Sequence, residues 1–279
     1  MLVSLRNYSN YSICESNIKI DDLVNFASKN NLKALGLTDY KLLSGSLEFS
    51  IKCQKVGIQP IIGLDIDYVS TQDHSKRLTL LSKNEEGFKN LNILSTEVNT
   101  NNDFLLSANN IKDYAKGNIL IMGGLYSYFE DISINQKNLN KVFNEIKNLK
   151  EIFKNELFFE YDPNLNNTLL KEVSEKLEIP IFNSFFSFYK SSNDFDAMQI
   201  LHCVKNGEYL QNSSFKIGNN YSLDKSLDNS EKSLVLNSQL IAQKINFLIK
   251  EKPISLPNFS KGLALDEDTE IIKQSRSGL

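Results

Sequence analysis

The chain has 279 residues, with 31 Lys and Arg against 34 Asp and Glu, a formal net charge of −3 and 41% apolar residues. This length and apolar fraction suit one large α/β domain or two small domains with an ordinary buried core. The acidic balance excludes the strongly basic surface with which proteins bind nucleic acid on their own. We therefore expect no strong DNA binding by this chain alone.

The sequence shows no membrane or secretion signal. No stretch approaches the roughly 20 apolar residues that span a bilayer, and the N-terminus lacks a signal-peptide pattern. The three cysteines, Cys14, Cys53 and Cys203, are widely spaced and form no Cys-x-x-Cys pair, so we expect reduced thiols. These features predict a cytoplasmic protein without membrane contact.

Short β-type runs alternate with amphipathic helical segments along most of the chain, a pattern typical of parallel strands joined by crossover helices. The predicted strands are residues 3–5, 34–38, 60–69, 78–82, 119–122, 157–161 and 181–188. Asp21 is predicted to open a helix over 22–30, and Asn84 to cap the helix that follows the fourth strand. Apolar residues at helical spacing predict a further helix over 136–154.

About seven strand-plus-helix units in roughly 250 residues favour an α/β barrel over a dinucleotide-binding sheet. No Gly-x-Gly-x-x-Gly follows any predicted strand, and no Gly-x-x-x-x-Gly-Lys-Ser/Thr occurs. In such barrels the chemistry lies at the C-terminal ends of the strands.

After residue 206 the composition changes, and residues 207–229 are rich in Asn, Ser, Gly and Lys. We predict a barrel core over residues 1–207 and a second part over 208–262, made of a polar loop and one long helix over 231–250. Residues 263–279 would begin a connection to a following domain. A short last helix with apolar Ile271 and Ile272 suggests a fragment of a longer polypeptide.

Acidic residues at the strand ends suggest a metal site. Asp65 and Asp67 share one face of the third strand, and with Asp39 they could hold a divalent cation. Alternatively, one carboxylate accepts hydrogen bonds from backbone amides or a basic side chain near the barrel mouth, and the other is solvated. The scarcity of imidazole favours the second interpretation: only His74 and His202 are present, in a polar loop and a helix.

Two other groups of residues resemble functional sites only in the order of their residue types. Cys203 follows His202 directly, but neighbours on a helix point about 100° apart and cannot form a catalytic dyad. The aromatic residues between Phe182 and Tyr189 could stack on bases, although we expect them in the core.

Three segments carry a family resemblance: LRNYSNYSICESNIKIDDLVNFASKNNLKALGLTDY, SGSLEFSIKCQKVGIQPIIGLDIDY and RLTLLSKNEEGFKNLNILS. They resemble the N-terminal polymerase-and-histidinol-phosphatase (PHP) domain of bacterial replicative DNA polymerase III alpha subunits. The resemblance implies an α/β fold, a distorted (β/α)7 TIM-like barrel of the PHP type. It also implies that residues 263–279 begin the connection to the polymerase palm.

Members with an intact PHP site carry His-x-His, Thr-Asp-His and Gly-x-Glu motifs, a further His, and a late Asp-x-His. This sequence departs from nearly all of them: Arg6 and Tyr8 replace the first histidine pair, Tyr40 replaces the second motif's histidine, and Arg77 replaces the further His. The resulting degenerate pocket comprises Arg6, Tyr8, Asp39, Tyr40, Asp65, Arg77, Phe186 and Phe188.

These replacements remove lone-pair donors and add guanidinium groups that repel a metal ion. We therefore expect no catalytic residues, metal or cofactor in this fragment; the parent polymerase would use Mg²⁺ in its palm. Our hypothesis is that Arg6 or Arg77 forms an ion pair with Asp39 or Asp65.

The resemblance implies a role in DNA replication. The chain would be an inactive scaffold that supports the polymerase core and docks the proofreading exonuclease, while nucleotidyl transfer requires the absent palm. One alternative is a metal-dependent phosphoesterase, a residual nuclease or pyrophosphatase, that uses Asp39 and Asp65. Another is a free-standing PHP-like protein.

Overall fold

The computed structural model describes residues 2–70, 75–126, 129, 136–215, 217–227, 234–251, 253 and 266–278. Its strands are Val3–Ser4 (β1), Ala34–Leu37 (β2), Gln59–Val69 (β3), Ser75–Ser82 (β4), Leu106–Ser107 (β5), Asn118–Gly123 (β6), Leu157–Tyr161 (β7) and Ile181–Asn183 (β8). Its α-helices are Ile20–Lys29 (α1), Ser46–Lys55 (α2), Glu85–Thr100 (α3), Gln136–Phe153 (α4), Thr168–Leu177 (α5), Phe195–Asn206 (α6), Val235–Lys244 (α7) and Glu267–Gly278 (α8). None of the helices in these ranges is long and apolar enough to cross a membrane.

All eight strands belong to one sheet, in the order β1-β2-β3-β4-β6-β7-β8 with β5 paired to β3. The pairs on either side of β4 are antiparallel, and the others are parallel. The antiparallel strand departs from the predicted alternation because only residues 70–74 join β3 to β4, too few for a crossover helix. The α/β class itself is confirmed.

The sheet is strongly curled. Arg6 follows β1, and its guanidinium lies 2.7 Å from a carboxylate oxygen of Glu160 on β7. Five strand steps separate β1 from β7, which is about 24 Å in a flat sheet. The contact therefore requires the barrel-like curvature that the sequence predicts, although β1 and β8 form no pair within the described ranges.

Alternating side chains divide the sheet into two faces. On β6, Ile119 and Ile121 point into the curled sheet, whereas Leu120 and Met122 pack outward with α4 residues such as Val142. Helix α7 contacts both edge strands, β1 and β8. Its Ile241 and Ala242 join the inner apolar cluster, so α7 covers the end of the sheet where the parallel strands begin.

Most predicted strands and helices are confirmed, although many of their boundaries differ by one or more residues. Asn84 caps α3 as predicted, through a 3.0 Å bond from the Gly87 amide. Helix α1 begins at Ile20, one residue before Asp21. Asp21 therefore lies in the first turn, where its negative charge interacts favourably with the helix dipole. Strand β5 was not predicted, because two residues are too few to show an alternating pattern.

The last predicted strand also ends early. β8 stops at Asn183 because the chain then leaves the ladder, and the Phe188 amide donates to the Tyr221 carbonyl instead. The predicted helix over 231–250 is shorter, because α7 ends at Lys244 and the Asn246 amide donates to the Lys83 carbonyl. Residues 231–233 lie outside the described ranges.

The chain divides into two compact units, Met1–Ile249 and Lys250–Leu279. The second contains α8, whose first turn is capped by Asp266 through a 2.7 Å bond from the Thr269 amide. The boundaries predicted near residues 207 and 262 remain predictions.

Candidate functional site

A buried guanidinium occupies the end of the curled sheet where the parallel strands terminate. Arg6 Nη2 lies 3.0 Å from Asp65 Oδ2, and Nη1 lies 2.7 Å from Glu160 Oε2. All three side chains are essentially inaccessible to solvent. The Phe186 ring lies beneath the guanidinium at 4.5 Å, and the Gly123 carbonyl accepts a longer bond of 3.4 Å. One cation therefore pairs with two carboxylates from distant strands.

The backbone makes room for this ion triad, which comprises Arg6, Asp65 and Glu160. Gly124 adopts a φ of +70° beside it, and a Cβ there would lie 2.6 Å from Glu160 Oε2 and 2.8 Å from Arg6 Nη1. A side chain at this position would both strain the backbone and displace the ion pair.

Hydroxyl groups donate further hydrogen bonds to the two carboxylates of the triad. Asp65 accepts from the Tyr8 hydroxyl and, at 2.7 Å, from the Thr79 hydroxyl. Glu160 accepts from the Ser184 hydroxyl at 2.7 Å. This network meets the requirement that buried charges be paired and hydrogen-bonded.

Burial and neighbouring charges set the protonation states. Burial lowers the pKa of Arg6, but Asp65 and Glu160 outweigh this effect and raise it above its ordinary value. Burial raises the pKa of Tyr8, and the negative charge of Asp65 raises it further. Burial also raises the pKa of Glu160, although Arg6 opposes the shift. Arg6 is therefore a permanent cation and Tyr8 a neutral donor.

Arg77 organises a second charged cluster next to the triad. Its Nη2 lies 2.6 Å from Glu15 Oε1, and its guanidinium stacks between the rings of Tyr40 and Tyr126, at 3.9 and 4.6 Å. Lys205 on α6 reaches the same Glu15 oxygen at 2.5 Å. Burial would raise the pKa of Glu15, but Arg77 and Lys205 lower it below its ordinary value.

Tyr8 connects the two clusters, because Arg77 Nη1 lies 3.2 Å from the Tyr8 hydroxyl oxygen. Asp67 lies on the outer rim, 2.7 Å from Lys41 Nζ and 2.6 Å from the Tyr40 hydroxyl. Burial opposes ionisation of Asp67, but these contacts hold its pKa below the ordinary value.

Asp39 lies apart from both arginines. Its carboxylate accepts from the Ser9 amide at 2.6 Å, from the Ser9 hydroxyl at 2.8 Å and from the Ser12 hydroxyl at 2.6 Å. Burial raises its pKa despite these bonds. The hypothesis of an arginine–carboxylate pair thus describes Arg6 and Asp65, whereas Asp39 is held by serines.

The aromatic residues lie where core packing predicts. Phe186 and Phe188 are buried, with ring centroids 4.6 Å apart, and Tyr8 packs edge-on against both. His202 lies at the surface, hydrogen-bonded to Asn206 and Ser214. His74 lies outside the described residues.

The sequence interpretation missed Glu160 and Glu15, each of which pairs with an arginine. A signal for Glu160 existed, because it is the only charged residue in the otherwise apolar and aromatic strand LFFEY. Glu15 lies in a loop and gave no comparable signal.

The residues of this site do not fit a divalent cation. The Arg6 guanidinium lies between the Asp65 and Glu160 carboxylates, whose remaining contacts are hydroxyl donors. Across the described ranges, no three His, Cys, Asp or Glu side chains are grouped so as to hold a metal ion. The site can therefore pair charges internally, but it offers no free carboxylate for metal-assisted hydrolysis.

Comparisons with known proteins relate this site to a family. A model of the PHP domain matches residues 4–164. The DNA polymerase III subunit alpha of Buchnera aphidicola subsp. Acyrthosiphon pisum is 28% identical over 300 residues, covering 99% of this chain and 25% of that protein. The Bacillus subtilis protein of the same name is 29% identical over 216 residues, covering 75% of this chain and 19% of that protein.

Among solved structures, an amidohydrolase from Chromobacterium violaceum aligns with a TM-score of 0.49 and 9% identity, over 68% of this chain and 88% of that one. The chain spans a quarter or less of the length of both curated relatives.

Proposed function

Because the chain belongs to the PHP domain family and resembles DNA polymerase III alpha subunits, we propose that it is a structural domain of such a subunit in DNA replication. In this role it supports the polymerase core and docks the separate proofreading exonuclease in the cytoplasm. Nucleotidyl transfer, with its Mg²⁺, belongs to the rest of the subunit. The chain itself binds no metal, and it does not bind DNA strongly.

The observation that carries this proposal is the position of Arg6 between Asp65 and Glu160. A guanidinium in this position supplies the positive charge that the carboxylates need, without a ligand that can dissociate. A phosphoesterase that uses Asp39 and Asp65 is less well supported, because serine donors surround one carboxylate and the other belongs to the triad.

Metal removal and addition test the proposal. The purified chain is treated with EDTA or dialysed after incubation with Zn²⁺ or Mn²⁺, then assayed by elemental mass spectrometry, thermal unfolding and hydrolysis of a chromogenic phosphodiester. We expect no stoichiometric metal, an unchanged melting temperature and no hydrolysis. Retained metal, together with hydrolysis that Asp65→Asn abolishes, would establish the phosphoesterase instead.

The scaffold role is tested in the full-length alpha subunit. There, Arg6→Met should lower the temperature at which polymerase activity is lost, whereas the exposed-site variant Lys116→Met should not. Unchanged thermal inactivation of the Arg6→Met enzyme would contradict a supporting role.

A further inference from the structure

A cleft of about 510 Å³ lies at the end of the sheet opposite the ion triad. It is formed where β7 and β8 begin, beside the C-terminal end of α4 and one face of α7. Its apolar wall consists of Leu157, Phe158, Ile179, Pro180 and Leu240. The volume lies in the range of ligand sites in proteins.

The apolar surface continues beyond the cleft along α7. Leu240 is 52% exposed, and Leu236, one helical turn earlier, is 64% exposed. Residues four apart lie on the same side of a helix, so the two leucines form one continuous strip that leads into the cleft. Solvent-exposed large apolar side chains arranged in this way are typical of interaction surfaces.

The rim of the cleft is positively charged although the whole chain is acidic. Its lining includes Lys150, Lys154 and Lys244 but only one acidic residue, Glu178. Lys154 forms no ion pair with any described residue. Lys244 shares its partner Glu156 with Lys83, which leaves the positive charge there in excess.

Two of the lysines are hydrogen-bonded to different elements of the fold. Lys150 Nζ donates to the Leu177 carbonyl at the end of α5, whereas Lys244 Nζ donates to the Asn155 carbonyl at 2.9 Å. The two ammonium groups are thus attached to different elements beside the apolar wall. This distribution suits an extended ligand whose negative charges are spaced along its length.

We propose that the cleft binds an acidic peptide segment of a partner protein, whose bulky apolar side chain enters between Phe158 and Leu240 while flanking Asp or Glu residues face the lysines. This inference is independent of the ion triad, which lies at the other end of the sheet. Apolar burial would supply the affinity, and the charged rim would set the preference for acidic sequences.

A peptide selection on the purified chain tests the proposal without assuming the partner. A library of random peptides displayed on phage is selected on the immobilised protein, and an enriched peptide is synthesised with a fluorophore for anisotropy titration. We expect enriched sequences with Leu, Ile or Phe flanked by Asp or Glu, and binding that weakens as salt increases.

Matched variants locate the binding. Leu240→Glu should weaken binding by more than about tenfold, and Lys154→Glu by about three- to tenfold. Leu210→Glu, an equally exposed leucine after α6, and Lys116→Glu should leave it unchanged. All four changes lie at exposed positions, and equal melting temperatures verify the fold.

Three results would overturn the proposal. They are enrichment of neutral or basic peptides, equal binding by the cleft and control variants, and displacement of the peptide by inorganic phosphate at constant ionic strength. The last result would indicate a site for small anions.

Discussion

The guanidinium of Arg6 is held by carboxylates from β3 and β7, two strands that are far apart in the sequence. Removing one member of such a buried arrangement costs more than the arrangement contributes, because the remaining charges stay unpaired in a medium of low dielectric constant. The triad is therefore the place where single substitutions should have the largest electrostatic effect.

We predict that Arg6→Met lowers the free energy of unfolding by about 3–5 kcal/mol, because Asp65 and Glu160 lose their shared cation. Arg6→Lys should have an intermediate effect, since one ammonium cannot reproduce the fork that reaches both carboxylates. Urea denaturation at pH 7 measures both. A stability of Arg6→Met equal to that of the wild type would show that the carboxylates do not depend on the guanidinium.

Glu15 gives a prediction about pH. Its pKa in the folded chain lies below the ordinary value of 4.5, so its stabilising contribution is complete above pH 4.5 and is lost as pH falls through the folded pKa. We expect Glu15→Gln to lower the free energy of unfolding at pH 7 by about 1–3 kcal/mol.

The difference between wild type and Glu15→Gln should shrink steadily below pH 4.5, as measured by urea titrations over a pH series. Burial raises the pKa of Glu160 and Asp39, so these groups act in the opposite direction in both proteins and cancel in the comparison. A difference that is constant with pH would contradict the assignment.

At the scale of single elements, the sequence predicted caps and boundaries correctly where the stabilising interactions join residues close together in the chain. The side chain of Asn84 accepts a hydrogen bond from the amide of Gly87, only three residues later. Strand β7 has the predicted bounds Leu157–Tyr161. Boundaries failed where a distant segment supplies the next hydrogen bond. The Tyr221 carbonyl ends the extended run after β8, and the Lys83 carbonyl holds the chain after α7.

We predict that Asn84→Ala lowers the free energy of unfolding by about 1 kcal/mol, because the Gly87 amide loses its acceptor. Asn84→Asp should keep the wild-type stability, since its carboxylate also accepts and interacts favourably with the helix dipole. Asn92→Ala, an exposed change within the same helix, is the control. Thermal unfolding measures all three, and equal loss in both alanine variants would contradict a capping effect.

At the scale of the whole molecule, two features hold the ends of the curled sheet. The ion triad joins β1 to β7 at one end, and α7 packs against β1 and β8 at the other. Closing a sheet over these distances requires contacts that are remote in sequence, since neighbouring strands alone determine only local pairing.

We predict that Ile241→Ala lowers the free energy of unfolding by about 2–5 kcal/mol, because it leaves a cavity in the inner cluster that includes Val3 and Phe182. Leu240→Ala, at the adjacent but exposed position, should change it by less than about 0.5 kcal/mol. Denaturant titration of the two variants provides the comparison. Similar losses would show that α7 does not seal the sheet.

The α/β class and most strands could be predicted from the sequence, because periodicity records which face of each element is buried. The family followed from the resemblance of three sequence segments to PHP domains. The sequence also predicted that Arg6 or Arg77 pairs with Asp39 or Asp65, because all four follow or lie in strands that reach one side of the sheet. It assigned Asp39 to the same ionic site, although the local loop supplies Ser9 and Ser12 instead.

Three features are visible only in the folded chain: Glu160 completes the triad, Glu15 pairs with Arg77, and a basic cleft opens beside α7. The physical reason is the curvature of the sheet. It brings together side chains more than 100 positions apart, such as Arg6 and Glu160, and no pattern within one element records which distant partner will meet it.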